Sequence, residues 1–168
     1  MTNNLILVGF MGTGKTDVGR ALARRLGWEF MDSDDIVEER SGKTISEIFR
    51  EEGEERFREI ESQVARDLPK LSNHVIATGG GIVLREDNLT SLRKAGKVIC
   101  LKASPEEIVK RLENTGDRPL LDTPERINRI KRFLTERRSF YEQADFIIDT
   151  TGMTVKAVVD RVIEILEC

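Results

Sequence analysis

The sequence predicts an α/β domain: a parallel five-stranded sheet covered by helices on both faces. Two observations carry this reading. Five short apolar runs, Leu5–Val8, Trp28–Met31, Val75–Ala77, Val98–Leu101 and Phe146–Ile148, stand apart along the chain. Stretches with helical periodicity lie between and after them, and such alternation packs as strands with crossover helices. Right-handed crossovers then gather the strand C-terminal ends on one edge, where ligands bind in open sheets.

The helix boundaries are marked locally. Thr44-Ile-Ser-Glu47 and Ser104-Pro-Glu-Glu107 read as capping boxes, the second with Pro105 at the first helical position. Thr123-Pro124 opens a further helix in the same way, and Gly42 and Gly96 fit helix ends. The stretch Glu54–Leu68 lines up Phe57, Ile60, Val64 and Leu68 on one face. A helix over about 124–144 lines up Ile130, Phe133, Leu134, Phe140, Tyr141 and Ala144. The longest loop whose sequence suggests mobility is Asn114–Thr123.

Length and charge bound the function. A chain of 168 residues fits one domain, here read as residues 1–168. A net charge of −3 argues against general nucleic-acid binding. Cys100 and Cys168 are far apart and His74 is the single histidine, so no zinc-ligand spacing exists. Unpaired cysteines without a secretory segment lead us to expect a reducing, cytoplasmic location. No apolar stretch approaches the roughly 20 residues of a membrane helix, so no membrane partner is expected.

Gly9-Phe-Met-Gly-Thr-Gly-Lys15-Thr16 matches G-x-x-x-x-G-K-[ST]. It follows the first strand and precedes a helical pattern of Val18, Leu22 and Leu26, the context that gives this motif its meaning. Backbone N–H groups at Gly12, Thr13 and Gly14 can converge on phosphate oxygens, aided by the helix N-terminus. Lys15 would reach the β- and γ-phosphates of ATP, and the Thr16 hydroxyl would take Mg²⁺.

Other charged residues fall at the same edge. The second strand runs into Asp32-Ser33-Asp34. Alternation turns Asp32 and Asp34 the same way if the strand persists that far. One would hold Mg²⁺ through water and the other would orient or deprotonate an acceptor hydroxyl. Alternatively Asp34 or Ser33 is a helix N-cap. Arg137 falls near the centre of an apolar stripe and needs either a protein carboxylate or an anionic ligand. Arg58 and Glu61 are spaced for an i, i+3 pair. That pair is either an ordinary surface salt bridge or an arginine held ready for a carboxylate. Gly79-Gly80-Gly81 ends the third strand as a tight turn or as a close approach to a ligand. Arg111 and Arg118 flank a glycine-containing segment with the composition of a lid, where an arginine can neutralise phosphoryl-transfer charge.

Six of these segments in order resemble the shikimate kinase family, nearly end to end. They are Leu7–Thr16, Asp32-Ser-Asp34, Gly53-Glu-Glu-Arg-Phe57-Arg58, Gly79–Gly81, Arg118-Pro-Leu-Leu121 and Arg137-Arg-Ser-Phe-Tyr141. The resemblance implies a P-loop NTPase of nucleoside-monophosphate-kinase-like form, a three-layer α/β/α domain with sheet order 2-3-1-4-5. It implies transfer of the γ-phosphoryl of ATP to the 3-hydroxyl of shikimate, in the route to chorismate and the aromatic amino acids. It places a shikimate-binding region at about 33–61 and a lid at about 112–124. Asp34 would bind acceptor hydroxyls and act as base. Arg58, Arg137, Gly79, Gly80 and Gly81 would grip the acid. Asp32 would serve Mg²⁺ through water, with Thr16 as direct ligand. Arg118 would close on the phosphates, and Arg111 would stack on adenine, with the segment after Asp149 on its other side. A monomer is implied.

One residue departs from the pattern. Asp17 follows the motif's threonine, where small or hydroxyl residues are more usual, and would weaken phosphate affinity if it pointed inward. The rivals are a gluconate-type P-loop kinase and a non-catalytic nucleotide-binding relative. The first should lack the combination of Arg58, triple glycine and Arg137; the second should have lost Lys15, Asp34 or Arg118. No N-K-x-D tetrad marks a guanine-specific switch protein.

Overall fold

The computed structural model describes residues 3–113 and 125–168. Five parallel strands form one sheet: β1 (Leu5–Val8), β2 (Glu29–Asp32), β3 (His74–Ala77), β4 (Lys97–Lys102) and β5 (Phe146–Asp149). Their order is β2-β3-β1-β4-β5, with Leu5 level with Val75 on one side and Lys97 on the other. The predicted strand runs are each found within a residue or two, and every pairing is parallel.

The sheet has two buried faces because its strands are apolar at successive positions, as parallel strands are. Ile6, Val8, Ile76, Val98 and Cys100 face one core, shared with α2 (Ser33–Ser41), α3 (Ile45–Glu51), α4 (Glu54–Asp67), α5 (Glu86–Ala95), α6 (Pro105–Glu113) and α7 (Arg126–Tyr141). Leu5, Leu7, Val75, Ile99 and Leu101 face the other, shared with α1 (Lys15–Leu26) and α8 (Val155–Glu167). The three-layer α/β/α arrangement is thus the predicted one. No helix among the described residues is long and apolar enough to cross a membrane.

The caps explain where several helices begin, with two differences from the sequence reading. Thr44 forms a full capping box: its hydroxyl accepts from Glu47 N at 3.2 Å, and Glu47 Oε2 accepts from Thr44 N at 2.8 Å. Ser104 forms only half of one. Its hydroxyl accepts from Glu107 N, but the Glu107 carboxylate is taken by Arg111, and Ser104 N donates to Thr151 Oγ1 instead. The cap of α2 is neither Ser33 nor Asp34 but Asp32, whose Oδ1 accepts from Asp34 N at 2.9 Å. Gly42 ends α2 in the left-handed conformation, and Gly96 ends α5. The proposed helix start at Thr123-Pro124 and the loop Asn114–Thr123 lie outside the described residues, save that α7 is in place from Arg126.

Candidate active site

The loop between β1 and α1 sits over the middle of the sheet, because β1 is its central strand. Gly12 and Gly14 both have positive φ, 80° and 94°. This left-handed backbone turns successive N–H groups toward one side of the loop. Lys15 is buried, and its Nζ donates to Gly9 O at 2.7 Å and Phe10 O at 2.9 Å. The Thr13 hydroxyl donates to Phe10 O at 2.7 Å. Asp17 is exposed on the first turn of α1 rather than turned into the loop.

β2 ends at Asp32, so the strand alternation expected to align Asp32 with Asp34 does not reach Asp34, which belongs to α2. Asp32 instead bridges two elements. Its Oδ1 caps α2, and its Oδ2 accepts from the Thr16 hydroxyl at 3.2 Å. Burial pushes the Asp32 carboxyl above its ordinary range, against the opposing hydrogen bond from Asp34 N. Among the described residues no three histidine, cysteine or carboxylate groups gather as a metal cage. A hydroxyl and one carboxylate are nevertheless a hard-oxygen set suited to Mg²⁺, which keeps several of its waters.

The three glycines after β3 are ringed by charged side chains. A Cβ on Gly79 would lie 2.7 Å from Asp34 Oδ1 and 3.0 Å from Glu61 Oε2. A Cβ on Gly81 would land on the Arg58 guanidinium. At Gly80 a Cβ would lie 3.4 Å from Met11 N of the phosphate loop and 3.5 Å from Arg137 Nη1. The segment is therefore a floor that lets Asp34, Arg58 and Arg137 approach the backbone together. One expectation changes: the Gly79 N–H is used within the protein, donating to Ser33 Oγ at 3.1 Å.

Arg58 and Glu61 pair at 2.9 Å, and this is no surface bridge: the side chains are 13% and 1% exposed. The second carboxylate oxygen, Glu61 Oε2, is buried and makes no hydrogen bond among the described residues. Burial pushes the Glu61 carboxyl up to about 7, with Arg58 opposing. Arg137 is buried, with its guanidinium carbon 5.5 Å from the Phe10 ring centroid and 5.2 Å from that of Phe133. It forms no salt bridge with a carboxylate among the described residues, so the intramolecular ion pair left open by the sequence is not what holds it. Two aromatic faces flank it through cation–π attraction, and the Tyr141 hydroxyl is a further hydrogen-bonding neighbour. Tyr141, one helical turn on, donates its hydroxyl to Gly80 O at 2.6 Å.

Arg111 is fixed on the other side of the phosphate loop. It donates to Glu107 Oε1, Thr150 Oγ1, Thr150 O and Gly12 O. Arg118 lies outside the described residues. The sequence reading missed Ser33 and Thr150 as partners of the site. No local signal points to either, since each acts on a residue far along the chain. A separate cavity of about 460 Å³ is lined by Met31, Ile36, Val64 and Leu68 and by none of the charged residues of this site.

Comparison with known proteins agrees with this geometry. The family model for shikimate kinase matches residues 11–167. A shikimate kinase from Thermodesulfovibrio yellowstonii is 47% identical over 161 residues, 96% of this chain and 93% of that protein. One from Caldanaerobacter subterraneus is 46% identical over 95% of this chain and 94% of its own length. Among solved structures, shikimate kinase from Acinetobacter baumannii in complex with shikimate superposes with a TM-score of 0.93 at 34% identity, covering 99% of this chain and 94% of that one. The phosphate loop, the ringed glycines and these full-length matches lead to one conclusion: the chain belongs to the shikimate kinase family.

Proposed function

We propose that the protein transfers the γ-phosphoryl group of ATP to the 3-hydroxyl of shikimate, giving shikimate 3-phosphate and ADP. One observation carries the reading. Asp34, Arg58 and Arg137 converge on three successive glycines, and a Cβ on the middle one would lie 3.4 Å from Met11 N of the phosphate loop. An organic acid seated there has its carboxylate near two guanidinium groups and its hydroxyls near a carboxylate. Bidentate arginine contacts suit that carboxylate in strength and geometry.

In this reading the backbone of Gly12, Thr13 and Gly14 and the Lys15 ammonium hold the phosphates. Arg58 and Arg137 grip the acid above Gly79, Gly80 and Gly81, and Glu61 keeps Arg58 aimed. Asp34 accepts the proton of the attacking hydroxyl. The bond from that oxygen to the γ-phosphorus forms as the β–γ bridging bond breaks, and ADP departs. Mg²⁺, held by Thr16 and through water by Asp32, would supply charge neutralisation at the phosphates. Arg111 offers a face to adenine. Arg118 is assigned to the phosphates by family resemblance. The region at about 33–61 forms the acid-binding part and 112–124 the lid of one kinase domain, acting as a monomer.

The test is coupled ADP release with Mg·ATP and a panel of shikimate, quinate and gluconate. Turnover that depends on shikimate is expected. Folded protein with no shikimate-dependent ADP release refutes the substrate.

A further inference from the structure

We propose that Thr150 is a positioning residue for the nucleotide: it ties the Arg111 guanidinium beside the phosphate loop so that its flat face is held ready for a purine. The proposal rests on the reading of Arg111 as the adenine platform.

A guanidinium has five N–H donors in one plane. Four are engaged here. Nε donates to Glu107 Oε1 at 3.1 Å, Nη1 to Thr150 Oγ1 at 3.0 Å and Gly12 O at 3.4 Å, and Nη2 to Thr150 O at 2.8 Å. Thr150 supplies two of these acceptors. The side chain of Arg111 is still 24% exposed. One Nη2 N–H has no acceptor among these four bonds; the others fix the plane of the group, and its π-face is available for stacking.

Thr150 is itself held on all sides. It is 1% exposed. Its N–H donates to Lys102 O at 2.8 Å, and its hydroxyl donates to the same carbonyl at 3.0 Å. That leaves the hydroxyl oxygen's lone pairs for Arg111. Thr13 O lies 3.5 Å from the same oxygen, so the ends of β4 and β5, the phosphate loop and α6 meet at one hydroxyl. An arginine on a helix end would otherwise sample several rotamers, and fixing it in advance removes that entropy from binding.

The test compares two probes on the full chain with Mg²⁺: ADP, which carries the base, and inorganic pyrophosphate, which lacks it. Thr150→Val removes the hydroxyl at nearly constant volume. It is expected to weaken ADP about tenfold, the scale of one hydrogen bond to a charged group, and to leave pyrophosphate within about twofold. Thr150→Ser should restore ADP binding, and Thr150→Val should add no further loss in an Arg111→Met background. If the valine variant does not fold, Thr150→Ala should show the same split. Unchanged ADP affinity, or equal weakening of both probes, overturns the proposal. Arg111→Met that binds ADP normally overturns the Arg111 reading instead, which keeps the two failures distinct.

Discussion

Glu61→Gln separates charge from shape at the acid-binding corner of this site. The Glu61 side chain is 1% exposed, with one oxygen on Arg58 at 2.9 Å and the other without a hydrogen bond among the described residues. Burial raises its carboxyl from the ordinary 4.5 to about 7; the Asp34 charge adds to the rise, while Arg58 and Arg137 oppose it. Between those two values the native chain holds more protons than the unfolded chain, so stability falls as pH rises. The contribution is fully present below about pH 4.5 and gone above about pH 7. From pH 5 to pH 8 this amounts to about 2–3 kcal/mol, at about 1.4 kcal/mol for each pH unit crossed between the two values. Glutamine keeps the shape and cannot titrate. The difference in unfolding free energy between Glu61→Gln and the parent should therefore move by about that amount in favour of the variant across this range. Urea unfolding of the two proteins at pH 5, 6, 7 and 8 measures it, and groups common to both cancel in the difference. A difference that stays flat from pH 5 to 8 would refute the buried, half-paired carboxylate as described.

Two further substitutions test the acid site. Arg137→Ala should raise KM for shikimate about thirtyfold or more, since a charge-assisted contact is worth about 2 kcal/mol, while ATP affinity stays nearly constant; steady-state kinetics with each substrate varied in turn decides it, and an equal loss for ATP would mean the residue serves the nucleotide. Gly81→Ala is free of backbone strain, because φ is −98°, but its Cβ displaces the Arg58 guanidinium from buried Glu61, so some stability should be lost. It should also raise KM for shikimate by pushing Arg58 aside, and an unchanged KM would place the acid elsewhere.

The sequence alone determined the features whose causes are local. The phosphate loop is legible because its glycines, lysine and threonine meet their requirements within eight residues of chain. The inward position of Arg137 follows from helical periodicity, and the strands follow from their apolar runs. Only the tertiary structure decided what those side chains meet. Ser33 reaches Gly79 across 46 positions, and Thr150 reaches Arg111 across 39. The Arg58–Glu61 spacing is visible in the sequence, but the same spacing serves exposed pairs. What makes this one different is that α4 packs against α2 and the glycine floor, removing water from Glu61. Desolvation is set by everything that surrounds a group, whereas local spacing specifies only its neighbours along one helix.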